Sequence, residues 1–359
     1  MTNRPRWGVN TAVNRRSVLV GLGAVGAFLA VDLGAVAFAN KWIGSGTTRQ
    51  TFLDGFLRVY GRQLGFRKNH AKGVVVTGYF DSNGSGQQLS RAAVFRQGQV
   101  PVVGRFSLAG GDPHVADTPG AARGLGLAFG FPDSWQWRTA MLNLPVFPDN
   151  SARGFYDRLL ASKLVPGTKA PDPAAMKAFL TAHPETAAAM AIIKKHPPSA
   201  GFGDSTFRGL NTFFFVNDAG VRSAVRWSLV PQQGAPAPQS GDANGLFDAV
   251  LRQLRDGPLR WRLLVTVADP GDPLTDPTLP WPEDRRSVEV GTLTLTSAAT
   301  EAPGNARDIN FDPLVLPDGI EPSDDPLLSA RSDVYAASYR QRTGEPTSPS
   351  AVQVNEVGA

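Results

Sequence analysis

The apolar positions of this chain fall into short runs broken by glycine and proline, with helical spacing in a few places. Phe52, Leu53, Phe56, Leu57 and Tyr60 recur three and four residues apart, which predicts an amphipathic helix over 48–61. Val74-Val75-Val76 begins a β-branched run that ends Gly78-Tyr79-Phe80 and predicts a strand. Further strands are predicted over 92–95, 100–107, 123–131 and 137–147, then over 211–216, 222–230, 260–267 and 288–295. Alanine-rich faces and the break at Pro184 predict helices over 152–163, 173–183 and 185–195. Two more helices are predicted at 242–256 and 323–342. Many short strands with turn signals between them point to an antiparallel barrel or sandwich. The fold class expected is α+β, an antiparallel β-barrel with helices around it.

Composition narrows the chemistry. The 359 residues can bury a large core, and 38 glycines with 29 prolines fit turns and wrapping loops rather than a helical bundle. With no cysteine, disulfides, thiolate metal sites and iron–sulfur clusters are excluded. Four histidines make a histidine-rich metal cluster a poor expectation. The formal charge is +5, but four of the 36 basic residues and one of the 31 acidic residues precede Ala39. The body is therefore near neutral, without the clustered basic face of a nucleic-acid binder.

Those N-terminal charges belong to a targeting segment. Asn14-Arg15-Arg16-Ser17-Val18-Leu19-Val20, followed by a small and apolar stretch to Ala39, looks like a twin-arginine export signal. The stretch offers small-x-small cleavage sites, and it is about long enough to stay as a membrane anchor. Either outcome puts the folded body outside the cytoplasm, in the periplasm or on the membrane. The expected organisation is a signal or anchor over 1–39, one domain over 47–342, and a loose polar tail over 343–359.

Three constellations carry the candidate chemistry. The first is Phe66-Arg67-Lys68-Asn69-His70-Ala71-Lys72-Gly73, a basic segment that delivers a histidine to the start of a strand. The second is Gly104-Arg105-Phe106-Ser107, then Ala116-Asp117-Thr118, Ala122-Arg123-Gly124 and Asn143-Leu144-Pro145-Val146-Phe147, with Phe155 beyond. The third runs from Phe311-Asp312-Pro313 through Leu316-Pro317-Asp318-Gly319 to Arg331-Ser332-Asp333-Val334-Tyr335. On a helix Arg331 and Tyr335 share a face, four residues apart. A neighbouring cation favours the phenolate form of a tyrosine, which is the form that binds ferric iron.

In order and spacing these segments resemble the haem catalases, and among them the small exported catalase-related peroxidases. The resemblance covers about 47–342 and stops short of the long C-terminal region of the larger members. It implies a barrel with haem b between its wall and a C-terminal helix, Tyr335 as axial ligand and Arg331 as its stabiliser. It implies His70 as distal acid–base group, with Ser107 fixing its ring. It further implies Arg67, Arg105 and Arg342 on the haem propionates, Phe155 against the porphyrin, and Asn211 where catalases have a histidine. The sequence Trp227-Ser228-Leu229-Val230 departs from the NADPH-binding pattern, so no tightly held NADPH is expected. Asn143 is the candidate distal amide. Aligned without a gap, however, Leu142 takes that position, and only a one-residue bulge would return Asn143 to the site. Asn69 replaces a small apolar channel residue.

The resemblance thus implies a peroxidase that reduces hydrogen peroxide or organic hydroperoxides with small organic donors. The alternatives are a true catalase, a non-catalytic haem-binding protein of the same fold, and a donor-independent fatty-acid hydroperoxide enzyme.

Overall fold

A computed structural model describes residues 48–131, 134–168, 170–237 and 243–354; the segment at 1–39, expected to be a targeting signal or anchor, lies outside them. In chain order the elements begin with α1 (Arg49–Tyr60), β1 (Gly73–Ser82), β2 (Gly98–Leu108), β3 (Arg123–Phe131) and β4 (Trp135–Leu142). Three helices follow: α2 (Ala152–Ala161), α3 (Pro173–Ala182) and α4 (Pro184–Lys195). Next come β5 (Phe207–Val216), β6 (Arg222–Pro231), α5 (Gly245–Asp256), β7 (Leu259–Val267) and β8 (Ser287–Ala299). The short β9 (Ile320–Pro322) and α6 (Pro326–Thr343) complete the set.

The strands pair antiparallel in the order β4-β3-β2-β1-β8-β7-β6-β5, and a β4–β5 pairing at Leu142 and Arg208 closes them into an eight-stranded barrel. β9 adds to the β5 edge through Phe213, Phe214 and Phe215. The expected α+β barrel is the observed fold. Its interior is filled by side chains, as small barrels are. Phe80, Phe95, Phe106, Phe129, Trp137, Phe207, Phe215 and Trp261 are all wholly buried there. Trp137 stacks on Phe129 at 4.9 Å and meets Trp227 edge-on at 5.1 Å.

The wall formed by β1, β2 and β3 is buried on both faces. Along β3, Leu125, Leu127 and Phe129 point inward. Ala128 lies on the outer face, packed with Val75, Val103, Phe311 and Tyr335. That is why these strands show continuous apolar runs rather than hydrophobic–polar alternation. α1 packs against α6 and α2, bringing Phe52, Phe56, Leu159, Phe155 and Val334 together. The starts of α1 and α6 have a clear cause. Thr48 caps α1 through a capping box, and Asp325 accepts from the Leu327 N–H ahead of Pro326 to cap α6.

Two expectations are corrected, and one short strand is new. The apolar run at 92–95 is a 3-10 turn over Ala93–Phe95, because so short a run makes one tight turn into Gly98 rather than a paired strand. β9 was not expected, since its residues sit among prolines. The tail is not loose over 344–354: Val352 is buried, the Ser348 hydroxyl donates to the Leu64 carbonyl, and the Val354 N–H donates to Thr300 Oγ1. Its prolines and polar residues hide one apolar anchor.

Candidate active site

A large cavity of about 1270 Å³, counting its open mouth, lies between the outer face of the β1–β3 wall, α6, and the aromatic ends of α1 and α2. Eight of the ten candidate residues line it: Arg67, His70, Arg105, Ser107, Phe155, Arg331, Tyr335 and Arg342. They come from positions as far apart as 67 and 342, so only the closed barrel brings them together. The wall facing the cavity is kept flat by small residues. A Cβ on Gly124 would stand 3.0 Å from the His70 ring, and one on Gly126 would stand 2.9 Å from the Phe311 ring.

His70 sits just ahead of β1 with φ 55°, a left-handed conformation uncommon for residues other than glycine. Its backbone carbonyl accepts from Arg105 at 2.7 Å, and its Nδ1 lies 3.0 Å from Ser107 Oγ. The imidazole is pushed down to about 3, first by burial and then by the positive charges of Arg105, Arg331 and Arg67. It is therefore neutral at physiological pH. With Nδ1 held by the serine, Nε2 is the nitrogen left for proton exchange.

Three arginines crowd the same end of the cavity. Arg105 forms a two-pronged pair with Glu301 at 2.7 and 2.9 Å, both groups being nearly inaccessible. Arg67 donates to the carbonyls of Ala306, Arg307 and Ile309, and Arg342 donates to the Arg307 carbonyl. Burial and mutual repulsion hold Arg67 well below the usual guanidinium range, and burial brings Arg342 down to about 10. Glu301 is lifted by burial, yet the pull of Arg105, Arg67 and Arg342 outweighs this and holds it below the usual carboxylate range. The Nε atoms of Arg67 and Arg342 are buried without a hydrogen-bond partner. Buried donors are almost always paired, so these two nitrogens are candidates for an anionic group bound in the cavity.

On α6, Arg331 lies over the Tyr335 ring, 5.8 Å from its centre. The shared face is as expected. Its guanidinium hydrogen bonds go to the Asn211 side-chain oxygen and the Ala140 carbonyl. Asn211 is outside the cavity lining and stands behind Arg331, passing a 2.7 Å hydrogen bond on to Asp325. Burial pushes the Asp325 carboxyl up, and Asn211, the Leu327 N–H and Arg331 pull against it. Phe155 lines the cavity within an aromatic group, stacked on Phe147 at 6.3 Å.

Asn143 is, with Asn211, one of the two candidates that do not line the cavity. The β3–β4 register is regular, with Gly124 opposite Leu142 and no bulge. Successive strand residues point to opposite faces, so Leu142 lines the cavity and Asn143 turns away. The Asn143 side-chain oxygen accepts from the Arg123 N–H at 2.8 Å instead. Glu301 was missed, because a single acid in a loop has no local signature and its partner lies 196 residues away.

The catalase family model matches residues 58–357, and the chain belongs to the catalase family. It is 38% identical to a catalase-related peroxidase of Synechococcus elongatus over 95% of this chain and 98% of that one. It is 32% identical to a catalase-related peroxidase of Mycolicibacterium paratuberculosis, covering 84% and 97% of the two chains. In fold it is similar to catalase A from Saccharomyces cerevisiae, with a TM-score of 0.68 at 22% identity, over 82% of this chain and 64% of the yeast chain.

Proposed function

We propose that this protein is a haem peroxidase that reduces hydrogen peroxide or organic hydroperoxides with small organic electron donors. The observation that carries the reading is one cavity lined by a neutral histidine, a tyrosine under an arginine, and a surplus of buried arginines. The residues fit haem b. Gly124 and Gly126 let the His70 and Phe311 rings lie close against the cavity wall, and the orphaned Nε atoms of Arg67 and Arg342 suit the propionates. Among the described residues no group of three or more His, Cys, Asp or Glu side chains could hold a bare metal ion. An iron held here through Tyr335 would need the macrocycle for its other ligands.

When bound, haem with a tyrosinate ligand supplies the redox centre at which the O–O bond of a peroxide is cleaved. The chain supplies the proton traffic. His70 Nε2 accepts a proton from one peroxide oxygen and returns it to the departing oxygen. When Nδ1–H donates to Ser107 Oγ, the tautomer is the one whose Nε2 lone pair is free for this exchange. Arg331 lies over the ring of Tyr335, the residue that would hold the iron. Asn211 and Asp325 hold Arg331 in place.

The preference for organic donors is inferred from Leu142. An alkyl group there offers no hydrogen bond to orient a second peroxide molecule, so dismutation should be slow. The names of the two bacterial relatives agree with this reading. The test is rapid-mixing kinetics on the haem-loaded protein. Turnover of peroxide should be slow with peroxide alone and should accelerate when a phenolic donor is added. Vigorous oxygen evolution with indifference to donors would identify a true catalase instead.

A further inference from the structure

We propose that Asn69 is the positioning residue of His70: its side-chain oxygen locks the histidine backbone in the left-handed conformation and thereby aims the ring into the cavity. Asn69 Oδ1 accepts from the His70 N–H at 3.0 Å and from the Gly110 N–H at 2.9 Å. Both partners are donors, so the orientation of the amide is fixed, with oxygen toward the backbone. His70 is the only residue other than glycine with positive φ among the described residues. Such a conformation persists only where the surroundings over-determine it.

The anchor of this lock is itself tied down. The Gly110 carbonyl accepts from the Ala71 N–H at 2.9 Å, so residues 69–71 are stitched to Gly110 in both directions. Gly110 has φ +116°, and a Cβ on Gly111 would meet the Lys68 carbonyl at 2.5 Å and the Tyr60 ring at 2.6 Å. Arg105 holds the His70 carbonyl and Ser107 holds its ring. The N–H side depends on Asn69 alone. A leucine at 69 has nearly the same size and no acceptor, whereas an aspartate keeps the acceptor.

The role assigned to Asn69 in turnover rests on the proposed function, but the lock does not. Full-length protein without haem is compared with Asn69→Leu and Asn69→Asp by hydrogen exchange with mass spectrometry. In Asn69→Leu, peptides covering 66–72 and 108–112 should exchange about tenfold faster, the scale of a lost hydrogen bond. A peptide from α6 should be unchanged, and Asn69→Asp should keep the parent's protection. After haem loading, Asn69→Leu should react with peroxide about ten- to a hundredfold more slowly, with Asn69→Asp closer to the parent. If Asn69→Leu does not fold, Asn69→Ala takes its place. Parent-like exchange in the acceptor-less variant overturns the lock. Faster exchange with a peroxide rate within about twofold of the parent overturns the positioning role. Failure of every form, the parent included, to take up haem overturns the proposed function, while the exchange data still decide the lock.

Discussion

The two faces of the β1–β3 wall are made from the same strands and serve opposite ends. Inside the barrel, Leu125, Leu127, Phe129 and Phe106 belong to one packed core and none is accessible. Outside, Gly124, Gly126, Arg105 and Ser107 leave a cavity and line it with groups that exchange protons or carry charge. The inner face has large apolar side chains with partners on all sides. The outer face has small residues, a left-handed histidine and unpaired guanidinium nitrogens. One face holds the wall up, and the other keeps open a site that folding alone would not favour.

That division predicts separable defects. The largest is expected on the outer face: His70→Ala should slow the reaction of the haem-loaded protein with peroxide by about two to four orders of magnitude. Haem content and thermal midpoint should stay close to the parent, and a variant of parental speed would break the comparison. On the inner face, Phe129→Ala should cost about 3–5 kcal/mol in urea unfolding. Its folded fraction should still take up haem and react normally.

Gly126→Val sharpens the contrast because it acts on the outer face of the same strand. Its side chain would push into the Phe311 ring. Crowding of this kind costs about 1–3 kcal/mol, and here it should fall on haem affinity, weakening it by about tenfold or more. Parental affinity, measured by titration of the unloaded protein, would mean that the macrocycle does not lie on this face.

The smallest effect is in pH. His70 is held near 3 in the folded chain, against about 6.5 when unfolded. The unfolded chain therefore binds the proton first, and the folded state loses stability as pH falls from about 6.5 toward 3. His70→Gln removes this titration, so it should gain stability relative to the parent between pH 7.5 and 5. A constant difference in urea midpoints would mean that His70 titrates normally.

Much of this was legible in the sequence. The β-branched run after Gly73 is a strand because Val74, Val75 and Val76 fill both faces of the wall, and the Arg331–Tyr335 spacing falls on one helical face as a four-residue step must. The choice between Leu142 and Asn143 was only partly legible: the ungapped alignment favoured Leu142, but the decision turns on a one-residue phase that the β3–β4 register fixes. The Glu301–Arg105 pair, the docking of Val352 and the relay from Arg331 through Asn211 to Asp325 were not legible. Each depends on residues brought together from distant parts of the chain by barrel closure, and none leaves a local pattern.

The central claim is that the cavity holds haem through Tyr335. It is tested most directly by the absorption spectra of purified parent and Tyr335→Phe. A phenyl ring keeps the packing against Val75, Val103 and Phe311 but offers iron no oxygen. The account predicts high-spin ferric haem b in the parent, and loss of haem or a changed ligation state in the variant. An unchanged haem spectrum in Tyr335→Phe would contradict it.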